Sequence, residues 1–198
     1  MRDQWYADTR DLVKWGVLFT LAEDFGIGRI LQVAYARPSK FPQLQIDGKD
    51  RPLPTSVLKH MRSMGNITTI SKRPCVEVLA DEFKDRASYL TKVVSAVQET
   101  DKGRTIVFLD PDTGLQPTKP GWEHVLDAEL TAIWAAMPKG HVLVFYQHRT
   151  NYNGTPWLEP KRAQFEAALG LEPGASRVAH AFKIAQDVAF FFAEREVP

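Results

Sequence analysis

Apolar residues in this chain gather into two kinds of segment, and the two kinds alternate. Short continuous runs at 29–35 (Ile30, Leu31, Val33, Ala34, Tyr35), 105–110 and 141–148 lack the in-and-out rhythm of a half-exposed strand, so they predict strands buried on both faces. Longer stretches repeat at helical spacing instead. They predict helices over 11–24 (Val13, Val17, Leu18, Leu21), 81–99 (Phe83, Ala87, Leu90, Val93, Val94, Val97), 123–137 (Val125, Leu126, Leu130, Ile133, Trp134, Met137) and 156–169. Weaker signals suggest a short helix over 55–64 and strands over 66–71 and 75–79. The last two strand candidates, 177–183 and 187–194, sit so close together that only an antiparallel hairpin can join them. Buried strands alternating with helices imply right-handed crossovers. The expected fold is therefore α/β, a doubly wound and mostly parallel Rossmann-like sheet with a C-terminal antiparallel hairpin at its edge. Gly26 and Gly28 follow a helix and precede a strand, the reverse of the order a dinucleotide phosphate loop needs. They read as a helix stop.

Composition narrows this picture. With 198 residues and 44% hydrophobic content the chain can bury one good core, so a single α/β domain over 1–198 is expected. Nowhere do about 18 uncharged apolar residues run together, so no membrane partner is expected and the cytoplasm is the expected compartment. The single cysteine, Cys75, excludes an internal disulfide, and its neighbours Val76 and Val78 suggest a buried thiol. The net charge of +1 hides an asymmetry: residues 37–73 carry eight basic and two acidic side chains, the remainder 17 basic and 22 acidic. A basic insertion on a mildly acidic body suits a phosphate-rich partner, nucleic acid or nucleotide, with Lys59 and Arg62 as candidate contacts. A solvated loop made soluble by lysines is the alternative.

Candidate chemistry follows from the sheet. In open parallel sheets ligands gather at the carboxyl ends of strands. One such end carries Asp110-Pro111-Asp112-Thr113-Gly114-Leu115, another Tyr146-Gln147-His148-Arg149. In an extended geometry Asp110 and Asp112 would point the same way and could divide acid and base roles or hold a divalent cation; otherwise they satisfy turn amides. Tyr146 and His148 share one strand face, with Gln147 and Arg149 opposite. His148 is a candidate proton carrier, or a capping residue. Asp11 and Lys14 share one face of the first helical turn, as a functional pair or a surface ion pair. The remaining histidines, His60, His124, His141 and His180, have no metal-ligand spacing.

The run Tyr6-Ala7-Asp8-Thr9-Arg10-Asp11-Leu12-Val13-Lys14-Trp15 resembles the G-N-x-A-D-x-x-K-H signature of the large-subunit rRNA adenine-N6 methyltransferases. Asp11 and Lys14 match it, and Asp8 stands at its asparagine. Asp110-Pro111-Asp112-Thr113 falls where those enzymes carry D-P-P-Y. The chain is more similar still to a bacterial group of unassigned function with a Y-x-G-D-x-x-D-x-x-K-Y start, a D-P-D-N-G-L turn and a Y-H-H strand end. The resemblance implies a class I methyltransferase fold and S-adenosylmethionine as cofactor, met by Asp11, Lys14 and the turn holding Tyr35. It implies Asp110 polarising an acceptor amine; Tyr146 and Arg149 at the strand end, and Lys59 and Arg62 in the basic insertion, are the candidate substrate contacts. Three departures stand out: the turn Tyr35-Ala36-Arg37-Pro38-Ser39-Lys40 has no glycine, Thr113 replaces the base-stacking aromatic, and Asp112 replaces the second proline. Two other functions remain open on the same fold: a nuclease or phosphoesterase whose Mg²⁺ is held by Asp110 and Asp112, with Lys14 and His148 assisting, and a non-catalytic binding protein.

Overall fold

The structure is a computed structural model that describes residues 9–37, 43–46, 48–52, 54, 64–99, 103–149, 151 and 153–196. Lys59, Arg62 and nearly all of the expected helix over 55–64 lie outside them. In chain order the elements are α1 (Thr9–Asp24), β1 (Arg29–Val33), a hairpin of β2 (Gln43–Ile46) and β3 (Lys49–Pro52), a 3-10 helix (Met64–Thr69), β4 (Cys75–Leu79), α2 (Arg86–Val97) and β5 (Thr105–Leu109). There follow β6 (Gly114–Leu115), β7 (His124–Val125), α3 (Asp127–Ala136), β8 (Val142–His148), α4 (Leu158–Leu169), β9 (Arg177–Ala179) and β10 (Val188–Glu194).

One six-stranded sheet organises the molecule, in the order β4-β1-β5-β8-β10-β9. The pairs β1–β4, β1–β5 and β5–β8 are parallel, while β10 runs antiparallel to both β8 and β9. This is the doubly wound, mostly parallel α/β architecture with an antiparallel edge. Side chains alternate between sheet faces. The even-numbered residues Ile30, Ile106, Phe108, Val142, Val144, Tyr146, Val188, Phe190 and Phe192 pack with Val13, Leu18, Leu21 and Ala22 of α1. The odd-numbered Leu31, Val33, Val107, Leu109, Leu143, Phe145 and Phe191 pack with α2, α3 and α4 through Val93, Val97, Leu130, Ile133, Phe165 and Leu169. With both faces covered, β1 and β5 are buried at every position.

The structure corrects several expectations. Residues 66–71 form no strand: Ile67 is buried and Ile70, three positions on, is exposed, which suits one tight helical turn lying on the core. Cys75 is exposed, because it opens β4 at the edge of the sheet. The helix expected over 123–137 begins only at Asp127, since His124 and Val125 pair with Gly114 and Leu115 as β7. The β2–β3 hairpin within the basic insertion was not foreseen. No helix among the described residues is long and apolar enough to cross a membrane.

Candidate functional site

The strand order places the site. From β1 the chain crosses to β4 on one side and later to β5 on the other, so the loops leaving β1 and β5 diverge and open the position where doubly wound sheets bind ligands. Alternation then decides what faces α1 there. Gln32 continues the Ile30 face, and Asp110, just past β5, continues the Ile106–Phe108 face.

The buried stripe of α1 meets them. It is apolar through Leu18, Leu21 and Ala22 and turns polar at its N-terminal end, where Asp11 and Lys14 are both buried. Lys14 Nζ donates to Asp11 Oδ1 (2.6 Å) and Asp110 Oδ2 (3.0 Å), and Gln32 Nε2 donates to the same Asp110 oxygen (2.7 Å). The Lys14 and Asp110 side chains are only 5% and 2% exposed. The ammonium lies 6.0 Å from the Phe108 ring centre and 5.6 Å from that of Tyr146, so its stem crosses an aromatic floor. Burial opposes the lysine's charge, but Asp110 and Asp11 outweigh it and hold its pKa above the ordinary value. Burial raises the pKa of Asp110, and Lys14 offsets that only in part.

Asp112 does not accompany Asp110. The chain bends at 112–113 instead of staying extended, Thr113 N–H donates to Glu123 O, and Asp112 pairs with Arg37. Burial alone would raise the Asp112 carboxyl; the hydrogen bond and charge of Arg37 help bring it below its usual value. The two carboxylates thus serve different cations, against the shared direction expected of them. Among the described residues no three histidine, cysteine, aspartate or glutamate side chains gather as metal ligands.

Two supports fix the turn. Gln147 of β8 accepts from Leu115 N–H (2.9 Å), and His148 N–H donates to Thr113 O (2.8 Å). Gly114, at φ 131°, lies so close that a Cβ there would stand 2.4 Å from Gln147 Oε1. Opposite, Tyr35 adopts φ 45°, the left-handed region that a glycine turn normally occupies. Its N–H donates to the Tyr89 hydroxyl (3.0 Å), and its ring packs on Phe83 and Tyr89 in the cluster on the α2–α3 face. The Tyr35 ring therefore lies away from the Lys14–Asp110 side of the sheet. Burial holds the Tyr35 hydroxyl far above its ordinary pKa.

A second polar group continues the seam along α1. Because β10 is antiparallel, its start lies beside the end of β8, Val188 opposite His148. Asp187 there accepts from Arg10 Nε (3.2 Å) and lies 3.0 Å from His148 Nε2. Tyr146 and His148 share the α1 face as expected. Arg149, expected on the face of Gln147, instead lines a cleft of about 410 Å³ with Thr9, Arg10, Ile184, Ala185, Gln186 and Asp187. Of the sequence-derived candidates, Asp11, Lys14 and Asp110 meet directly and Tyr146 floors them. Tyr35 flanks them from the other face, while His148 and Arg149 belong to the second group. Sequence reading missed Gln32, Arg10, Gln147 and Asp187; the parity of β1 could have found Gln32, but no local pattern marks Asp187.

Compared with known proteins, the chain matches no family model and no curated protein. A solved structure resembles it at a distance. It is a provisionally named methyltransferase from Thermobifida fusca, 14% identical, aligned over 96% of this chain and 80% of that one with a TM-score of 0.45. A likeness that remote assigns no family.

Proposed function

We propose that this chain is a diverged enzyme of the methyltransferase fold, dependent on S-adenosylmethionine and acting on a nucleotide or nucleic acid. The observation that carries the reading is the 3.0 Å contact between Lys14 and Asp110, which joins the two resemblance-bearing segments, 96 residues apart, at one strand-end position.

The residues present fit the cofactor. The turn after β1 lacks glycine, yet Tyr35 supplies the left-handed backbone, and its ring is held in the Phe83–Tyr89 cluster. Asp11, Lys14, Gln32 and the 34–36 backbone would hold the group, which when bound supplies an electrophilic methyl. The chain's own residues do the rest. Gln32 and Lys14 fix the Asp110 carboxylate, which accepts a hydrogen bond from the acceptor amine and orients its lone pair. Tyr146 gives the base an apolar wall. Lys59 and Arg62 carry the phosphate contacts of the basic insertion. The magnesium reading is disfavoured because Asp112 is committed to Arg37.

Scanning fluorimetry with S-adenosylhomocysteine and with Mg²⁺ separates the readings. The proposal expects a rise in Tm with the former without metal, and Asp110→Asn should keep that rise while losing methyl transfer to RNA. A rise with Mg²⁺ alone would favour a phosphoesterase, and no rise with either would remove the enzymatic reading.

A further inference from the structure

Beyond the second polar group, the rim of the sheet carries a ring cluster with no part in that scheme. β9 ends at Ala179 and β10 begins at Val188, opposite His148, so the 180–187 connection lies at the same strand-end rim as Asp110. Trp157, just ahead of α4, reaches it there. Its ring lies edge-on to Phe182 with centres 6.5 Å apart, and His180 stacks on Phe182 at 3.8 Å with planes 5° apart. Core packing does not call for such a stack. Every other ring pair among the described residues is tilted or edge-on, as the ring quadrupole favours. The stacked pair stands at the surface: Trp157 and Phe182 are half-buried, His180 and Lys183 are exposed, and Ile184 in the same turn is 54% exposed. The turn beneath is firm. The N–H groups of Ile184 and Ala185 both donate to Ala181 O (2.7 and 2.9 Å), and Ala185 is buried in the core on the α1 face. Rings fixed in advance lose little freedom when a ligand arrives.

The chemistry of this surface selects its ligand. A flat ring whose inner face is already stacked offers its outer face to another flat ring, and an unpaired nucleobase has a face free to lie there, whereas a base within a duplex does not. Lys183 brings a cation to the same turn, complementary to a strand's phosphates. In the sheet β9 stands three strands from β5, roughly 14 Å at the usual strand spacing, so a base stacked here is not the one at Asp110 but one farther along the strand. We infer that His180 and Phe182, buttressed by Trp157, form a stacking platform for a base of single-stranded nucleic acid that flanks the reacting nucleotide. The inference deepens the reading of a nucleic-acid substrate and rests on it for the place of the reacting nucleotide.

Fluorescence anisotropy with a labelled RNA dodecamer, single-stranded and annealed to its complement, tests it. The full chain should bind the single strand more tightly than the duplex at equal salt. Phe182→Leu, which keeps apolar volume without the ring, and His180→Ala should each weaken single-strand binding by about fivefold or more, the size of one lost base stack, and leave duplex binding as it was. His180→Tyr, which restores a flat face, should bind the strand as wild type does. Should Phe182→Leu lose its native circular dichroism, the exposed position 180 carries the test alone. A wild-type protein that binds no single strand or binds the duplex equally well, or a folded His180→Ala protein with wild-type affinity, would overturn the inference. A missing S-adenosylhomocysteine response with the ring-dependent affinity intact would sink the methyltransferase reading and leave the platform standing. A normal response without ring dependence would do the reverse.

Discussion

Lys14 is the residue on which the site turns. It is a buried cation between two buried carboxylates, and removing one member of such a group leaves uncompensated charge out of water. Lys14→Met should therefore lower stability in urea by about 3–5 kcal/mol, far beyond what loss of a surface ion pair would do. The pH dependence has a definite sign. A lysine whose folded pKa stands above the ordinary 10.5 contributes stability that is complete below that value and is lost as pH climbs through the folded one. Unfolding curves between neutral pH and pH ~11 should thus show wild type losing its advantage over Lys14→Met only at the alkaline end. Tyr35 and Tyr89, whose pKa values burial also raises, titrate in both proteins and cancel in the difference. Tyr89 makes its own prediction. Its hydroxyl accepts the Tyr35 N–H, so Tyr89→Phe strands a buried donor and should cost about 1–3 kcal/mol by chemical denaturation. A cost below about 0.5 kcal/mol would mean that the Tyr35 turn does not depend on that hydroxyl.

At the level of elements, the turn after β5 is held by β8 and not by its own sequence. Gly114→Ala should destabilise by about 1–3 kcal/mol, partly from backbone strain at φ 131° and partly from collision with Gln147. Because Gln147 is the atom group met, Gln147→Ala introduced alongside should recover some of the loss, a non-additivity of roughly 0.5 kcal/mol or more in the paired denaturation curves. Strictly additive costs would show that the strain is all in the backbone. These details explain what could be read from the sequence. The strands at 105–110 and 141–148 and the helix at 11–24 were legible because continuous or helical-period apolar runs report burial directly. The 66–71 segment misled because β-branched residues suggest a strand, whereas only Ile67 finds core to cover. The left-handed Tyr35 was invisible because the signal looked for at such a turn is glycine, and here surrounding rings and a hydroxyl impose the conformation on tyrosine.

Across the whole molecule, function depends on a topology that sequence indicates only in outline. Alternating strands and helices announced a parallel sheet, but the insertion of β10 between β8 and β9 is a long-range choice, and it is what delivers Asp187 to the end of β8. Asp110 and Lys14 were legible as candidates for the reverse reason: a strand-end carboxylate and a helix-face cation each carry a local signal, and the sheet order then forces them together. Their direct contact is what joins α1 to the end of β5. A double-mutant cycle on Lys14→Met and Asp110→Asn, read by urea unfolding of all four proteins, measures it without reference to any ligand. A direct contact should give a coupling free energy of about 1–3 kcal/mol; costs that add within about 0.3 kcal/mol would mean that the two side chains do not touch.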